Sequence, residues 1–119
     1  MTEPTHKPAY DPQDLERLLV LRENAGDVDG MAALYEPDAV LDAGSGQIKH
    51  GREAIRKYFA DLVAAGQKFQ MGVQRPAMVG GDLAVTSTLL PDGTVTAEVA
   101  RRQSDGTWLW AIDRFSISS

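Results

Sequence analysis

The sequence predicts one α+β domain: helices first, then an antiparallel sheet with the helices gathered on one of its faces. Three observations carry that reading. The hydrophobic period is helical up to Gly66 and strand-like after it. Four long runs rich in β-branched and aromatic residues follow, separated by "GGD", "PDG" and "SDG". The chain has 119 residues, enough for one buried core and too few for two.

Residues 1–10 read as a tail, and residues 11–119 as the domain. Asp11 offers a helix cap, with Pro12 behind it and Asp14 in the first turn, and Leu15, Leu18 and Leu19 follow at helical spacing. "NAG" ends that helix at Gly26. Asp27 caps a second, shorter one whose apolar face is Val28, Met31, Leu34 and Tyr35, stopped by Pro37. "AVLD", ending on Asp42, is a short strand, and "GSGQIKHG" is a turn. In the third helix Ile55, Tyr58, Phe59, Leu62 and Val63 fall at i, i+3, i+4, i+7 and i+8, with Gly66 as its stop. The strands are "KFQMGVQRPAMV", "DLAVTSTLL", "TVTAEVARRQ" and "TWLWAIDRFSIS", with Pro76 marking a bulge or an edge in the first.

Composition excludes several function classes. Lys and Arg total 12 against 17 Asp and Glu, a net charge of −5 with no basic stripe, which argues against nucleic acid as a partner. With no cysteine, disulfides, thiolate metal sites and thiol nucleophiles are out. The opening "MTEPTHKPAYDP" has no apolar run, and no window approaches a membrane span, so a cytoplasmic protein without membrane contact is expected. His6 and His50 stand far apart without ligand-spaced partners, so no metal is expected. The glycine turn lacks a phosphate-loop ending, and no cofactor is expected.

The order helix, helix, short strand, helix, four strands resembles the nuclear-transport-factor-2-like superfamily from about Asp11 to Ser118. Within it the chain looks most like SnoaL-like and ketosteroid-isomerase-like proteins, through "AGDVDGMAALYEPDAVL", "HGREAI" and "DGTWLWAIDRF". The resemblance implies a cystatin-like α+β roll, a cone-shaped curved sheet wrapped around three N-terminal helices and enclosing a pocket for a small apolar molecule. It also implies a homodimer through the sheet.

It further implies catalytic roles for Asp42, Glu98 and Asp113. Counting back from "HGRE" puts Asp42 where the isomerases keep their base; counting forward from Tyr35 lands one residue away. The alternative is that Asp42 merely begins a turn. Glu98, in "TAEVA", matches a protonated acid that donates to an oxyanion, unless it faces solvent. Asp113 interrupts an apolar strand and is either a pocket acid or the partner of Arg101 or Arg102. Strict alternation puts Leu109, Ala111, Asp113, Phe115 and Ile117 on one face, and Trp108, Trp110, Ile112 and Arg114 on the other. The tryptophan face is then either a dimer surface or packed inside against the third helix.

Leu19 stands where the isomerases carry a hydrogen-bonding tyrosine, so steroid isomerisation by their mechanism is not expected. Leu19, Tyr35, Tyr58, Phe59 and Phe115 are the expected ligand-binding residues, although Tyr35 and Tyr58 also suit the rim of the core. Two acids in one dry hollow would divide the roles of acid and base. A small acid–base enzyme, a non-catalytic binder and a dimeric interaction module are the three functions consistent with these features.

Overall fold

The structure, a computed structural model, describes residues 7–117. Helices α1 (Asp14–Asn24), α2 (Val28–Ala32) and α3 (Arg52–Ala64) are joined by strands β1 (Tyr35–Asp42) and β2 (Ile48–His50). After α3 come β3 (Val73–Gln74), β4 (Met78–Gly80), β5 (Leu83–Thr86), β6 (Thr88–Leu89), β7 (Ala97–Arg102) and β8 (Trp108–Arg114). Six strands form one sheet in the order β2-β1-β8-β7-β5-β4, while β3 and β6 form a separate pair.

The helices form where the periodicity places them. Asp11 Oδ1 accepts the Gln13 N–H at 2.9 Å, so it caps a turn just ahead of α1. Asp27 accepts the Gly30 N–H at 2.9 Å and caps α2. At the end of α3, Gly66 takes φ 79° and the Gln67 N–H reaches back to Leu62 O, a left-handed cap that only glycine adopts without strain. No described helix is long and apolar enough to cross a membrane.

Several expectations need correction. Residues 1–6 of the expected tail lie outside the described residues, but Ala9 is buried and its carbonyl accepts the Trp108 N–H at 2.8 Å. Tyr35 does not end α2; it opens β1, because pairing to Trp110 of β8 outweighs a five-residue helix with little intrinsic stability. The sheet is mixed, since β1 runs parallel to β8 while its other pairs are antiparallel. "IKH", read as part of a turn, is strand β2.

The two strands expected at residues 68–79 and 82–90 are each broken, around Pro76 and at Ser87. Pro76 cannot donate to a ladder, so the hairpin bends there and its far part folds over as the β3–β6 pair.

The alternation in the last strand is also broken. Val99 pairs with Ile112 and Ala100 with Trp110, leaving Ala111 as an extra residue in β8. A one-residue bulge reverses the facing of everything beyond it. Trp108 and Trp110 therefore point inward, and so does Asp113, while Ile112 and Arg114 point out. The tryptophans join Leu15, Met31, Leu34, Leu41, Ile55 and Phe59 in the core.

Candidate functional site

The inner face of the sheet carries a polar row where an apolar one would be the default. Thr86 on β5, Glu98 on β7, Asp113 on β8 and Leu41 on β1 are successive cross-strand partners. Neighbours on one face stand about 5 Å apart. Glu98 and Asp113 are each 3 % exposed.

A hydroxyl steadies each acid. The Tyr35 OH donates to Asp113 Oδ2 at 2.5 Å, and the Thr86 OH donates to Glu98 Oε1 at 2.7 Å. Neither arginine proposed for Asp113 reaches it: Arg101 pairs with Glu36 at 2.9 Å and Arg102 with Asp82 at 2.6 Å, both at the surface.

A third acid enters from the opposite wall. Glu16 lies on α1 one turn before Leu19, and both line the same cleft as Glu98 and Asp113. The cleft measures about 510 Å³, and Phe69, Leu90, Pro91 and Phe115 complete its apolar walls. Lys68 is the cation of its lining, and its Nζ donates to Asn24 O at 3.4 Å. Among the described residues none of the three acids is ion-paired, and no group of side chains has the make-up of a metal site.

Burial without an ion pair sets their protonation. Burial and the nearby Glu98 push Glu16 up to about 7. Burial raises Glu98 too, opposed by hydrogen bonds from the Thr86 and Thr96 side chains. Asp113 is held well above the ordinary carboxylate range by burial first, then by Glu98, with the Tyr35 hydrogen bond pulling the other way. The Tyr35 phenol is likewise pushed up, by burial and by Asp113 beside it. Three acids buried this close together cannot all ionise easily near neutral pH, so at least one stays protonated.

The other expected site residues fall as follows. Asp42 turns away from the cleft: it accepts the Gly44 N–H at 2.9 Å and lies 3.2 Å from Arg114, so the turn reading describes it. The inward position at that end of β1 belongs to Leu41, one residue earlier and fully buried. Leu19 and Phe115 line the cleft. Phe59 is core, 0 % exposed, and Tyr58 stacks behind Phe115 with ring centroids 6.0 Å apart; neither lines the cleft. Tyr35 acts from beneath, through Asp113.

Glu16 was missed because Leu15, Leu18 and Leu19 already accounted for that helix. The signal was present, however: Glu16 and Glu23 stand seven residues apart on the face that carries Leu19.

The SnoaL-like domain family matches the chain over residues 15–118. No curated protein matches it. Among solved structures, a Mycobacterium tuberculosis protein of unknown function is similar at 23% identity and TM-score 0.66, over 86% of this chain and 66% of that one. This chain therefore spans just under two thirds of that protein's length. A Nostoc punctiforme protein of unknown function with a cystatin-like fold is similar at 18% identity and TM-score 0.65, over 86% of this chain and 84% of the other. A Streptomyces avermitilis protein described as a candidate dehydratase of the NTF2-like family is similar at 16% identity and TM-score 0.69, over 86% and 90%. At these identities the likeness is one of fold.

Proposed function

We propose, on the premise that the chain belongs to the SnoaL-like domain family, that its cleft binds a small apolar molecule and transforms it by carboxylate acid–base chemistry. One observation carries this: Glu16, Glu98 and Asp113 converge from three elements on one largely apolar cleft and none of them is ion-paired among the described residues, the Lys68 Nζ being turned to Asn24 O. Asp113, fully buried, is the group that stays protonated and donates. Glu16, titrating at about 7, is the group that takes and returns a proton, since proton transfer is most efficient when the group titrates near the working pH. Glu98 sits between them and couples their charges. The reactions this suits are isomerisation or elimination beside a carbonyl, ring closure, and opening of a strained ring; the dehydratase description of the Streptomyces relative falls in the same class. Asp42, part of the same mechanism when read from sequence, is left out of it because it faces away.

The test is turnover of a panel of small carbonyl, hydroxy-carbonyl and epoxide compounds. Glu16→Gln and Asp113→Asn are each expected to lower it by 100-fold or more, and full activity in the double variant would end the proposal.

A second reading, binding without turnover, draws on the inward Leu41 and on Leu19, which put hydrocarbon where the isomerases place a base and a hydrogen-bond donor. Binding of panel members with no chemistry in the unaltered protein is its signature. The proposal includes a homodimer through the outer sheet face. Its support is the apolar row Met78, Val85, Val99, Ile112 and Val40, cross-strand partners spanning the five strands from β4 to β1. Met78, Val85 and Ile112 are 74 %, 50 % and 52 % exposed.

A further inference from the structure

We infer that Glu23 is a positioning residue for the cleft: its carboxyl latches the segment 67–72, which forms one wall, and so keeps water from the acids. The inference rests on the cleft being the working site.

Residues 67–72 have no regular structure and cross from the end of α3 to β3. Lys68, Phe69 and Gln70 line the cleft, and of the segment's side chains only Phe69 packs inward, edge-on to Phe59 with centroids 6.4 Å apart. Gln67, Lys68, Gln70 and Met71 are exposed, so side-chain burial does little to hold this strap in place.

Its two ends are fixed differently. At the far end Gly72 crosses β6 so closely that a Cβ would lie 2.5 Å from Leu89 O, and Gln74 Nε2 donates to Gln13 O at 2.8 Å. At the near end the helix cap holds the Gln67 N–H on Leu62 O at 3.1 Å and Lys68 Nζ donates to Asn24 O at 3.4 Å; at Phe69 itself the backbone tie is Glu23, whose Oε1 accepts the Phe69 N–H at 3.0 Å. The Asn24 amide adds a long contact to Phe69 O at 3.5 Å.

Glu23 is 0 % exposed on α1, and its Oε2 has no hydrogen-bond partner among the described residues. A carboxyl buried at this cost, with its hydrogen bond spent on the backbone of a loop, is there for the loop. It sits seven residues beyond Glu16, on the same helix face. One face of α1 thus presents a working acid, a cleft wall in Leu19 and the latch.

The consequence is electrostatic. Glu16 titrates high because it is buried near Glu98; Asp113, Tyr35 and the rim charges Asp92 and Lys68 share the same space. Releasing the strap admits water, and hydration favours the ionised form.

Amide exchange and carboxyl NMR titration read this without any substrate. In Glu23→Leu the Phe69 amide should exchange at least 10-fold faster, and the Glu16 midpoint should fall from about 7 toward its ordinary 4.5 by a unit or more. In Glu23→Gln, which keeps an acceptor, both should stay near their original values. A folded Glu23→Leu protein with an unmoved Glu16 midpoint or a fully protected Phe69 amide overturns the inference. Should Glu23→Leu not fold, the unaltered protein decides. Its Phe69 amide must exchange through an opening that leaves the α3 amides protected, and exchange only on global unfolding overturns the latch. These readouts are independent of turnover, so their failure is separable from failure of the acid–base proposal.

Discussion

At the scale of single residues, the protein is governed by where its acids sit. Glu16 binds its proton more tightly folded than unfolded, so its contribution to stability is complete below pH 4.5 and is lost as pH rises through about 7. That swing amounts to about 3 kcal/mol at most, from 1.36 kcal/mol per unit. The urea midpoint should therefore fall between pH 5 and pH 8, and Glu16→Gln should flatten the fall; a wild-type midpoint unchanged over that range would contradict the assignment. Glu98→Gln removes the charge that, after burial, holds Glu16 up and should lower the Glu16 midpoint in a carboxyl titration. Asp42→Ala loses a turn hydrogen bond and a surface ion pair, about 1 kcal/mol of stability; its charge is the smallest of the causes holding Asp113 up, so turnover should change little in an assay. The burial of Asp113 was foreshadowed by a carboxylate interrupting an apolar strand, and that of Glu98 by its small and apolar neighbours in "TAEVA". Asp42 was misplaced because strand facing reverses with each residue, and motif counting fixes register no better than that.

At the scale of elements, α3 was the most legible, since five apolar residues at helical spacing and a glycine stop agree with one another. What escaped sequence reading were departures from regularity. The bulge at Ala111 has no marker in "TWLWAIDRF", yet it decides that the tryptophans and Asp113 share a face. The breaks at Pro76 and Ser87 turn one long hairpin into two short pairings, and only the proline announced itself. Gly72 records how tightly the strap passes β6. Gly72→Ala would set a Cβ against the Leu89 carbonyl, a backbone atom that cannot swing away. It should cost about 1–3 kcal/mol in urea unfolding, whereas a neutral result would mean that the crossing is loose.

At the scale of the whole molecule, the layer arrangement followed from the switch of period at Gly66, but the strand order did not, because nothing local tells β1 that its neighbour is β8. The exposed apolar row on the outer face leads to a definite expectation about assembly. Sedimentation at micromolar concentration should give a dimer, and Ile112→Asp, within that row and half exposed, should give a folded monomer with its cleft titrations unchanged. A monomeric unaltered protein would remove the sheet as an interface.

The parallel pairing of β1 with β8 has a temporal consequence. Strand β1 must wait, unsatisfied along one edge, until some seventy further residues have been synthesised, and such distant closures are slow to form. During that interval α3 already covers β1, with Phe59 against Tyr35, while the Trp110 ring that packs on Tyr35 has yet to arrive. Asp113 arrives on that same late strand, so the acidic hollow is among the last features to be assembled.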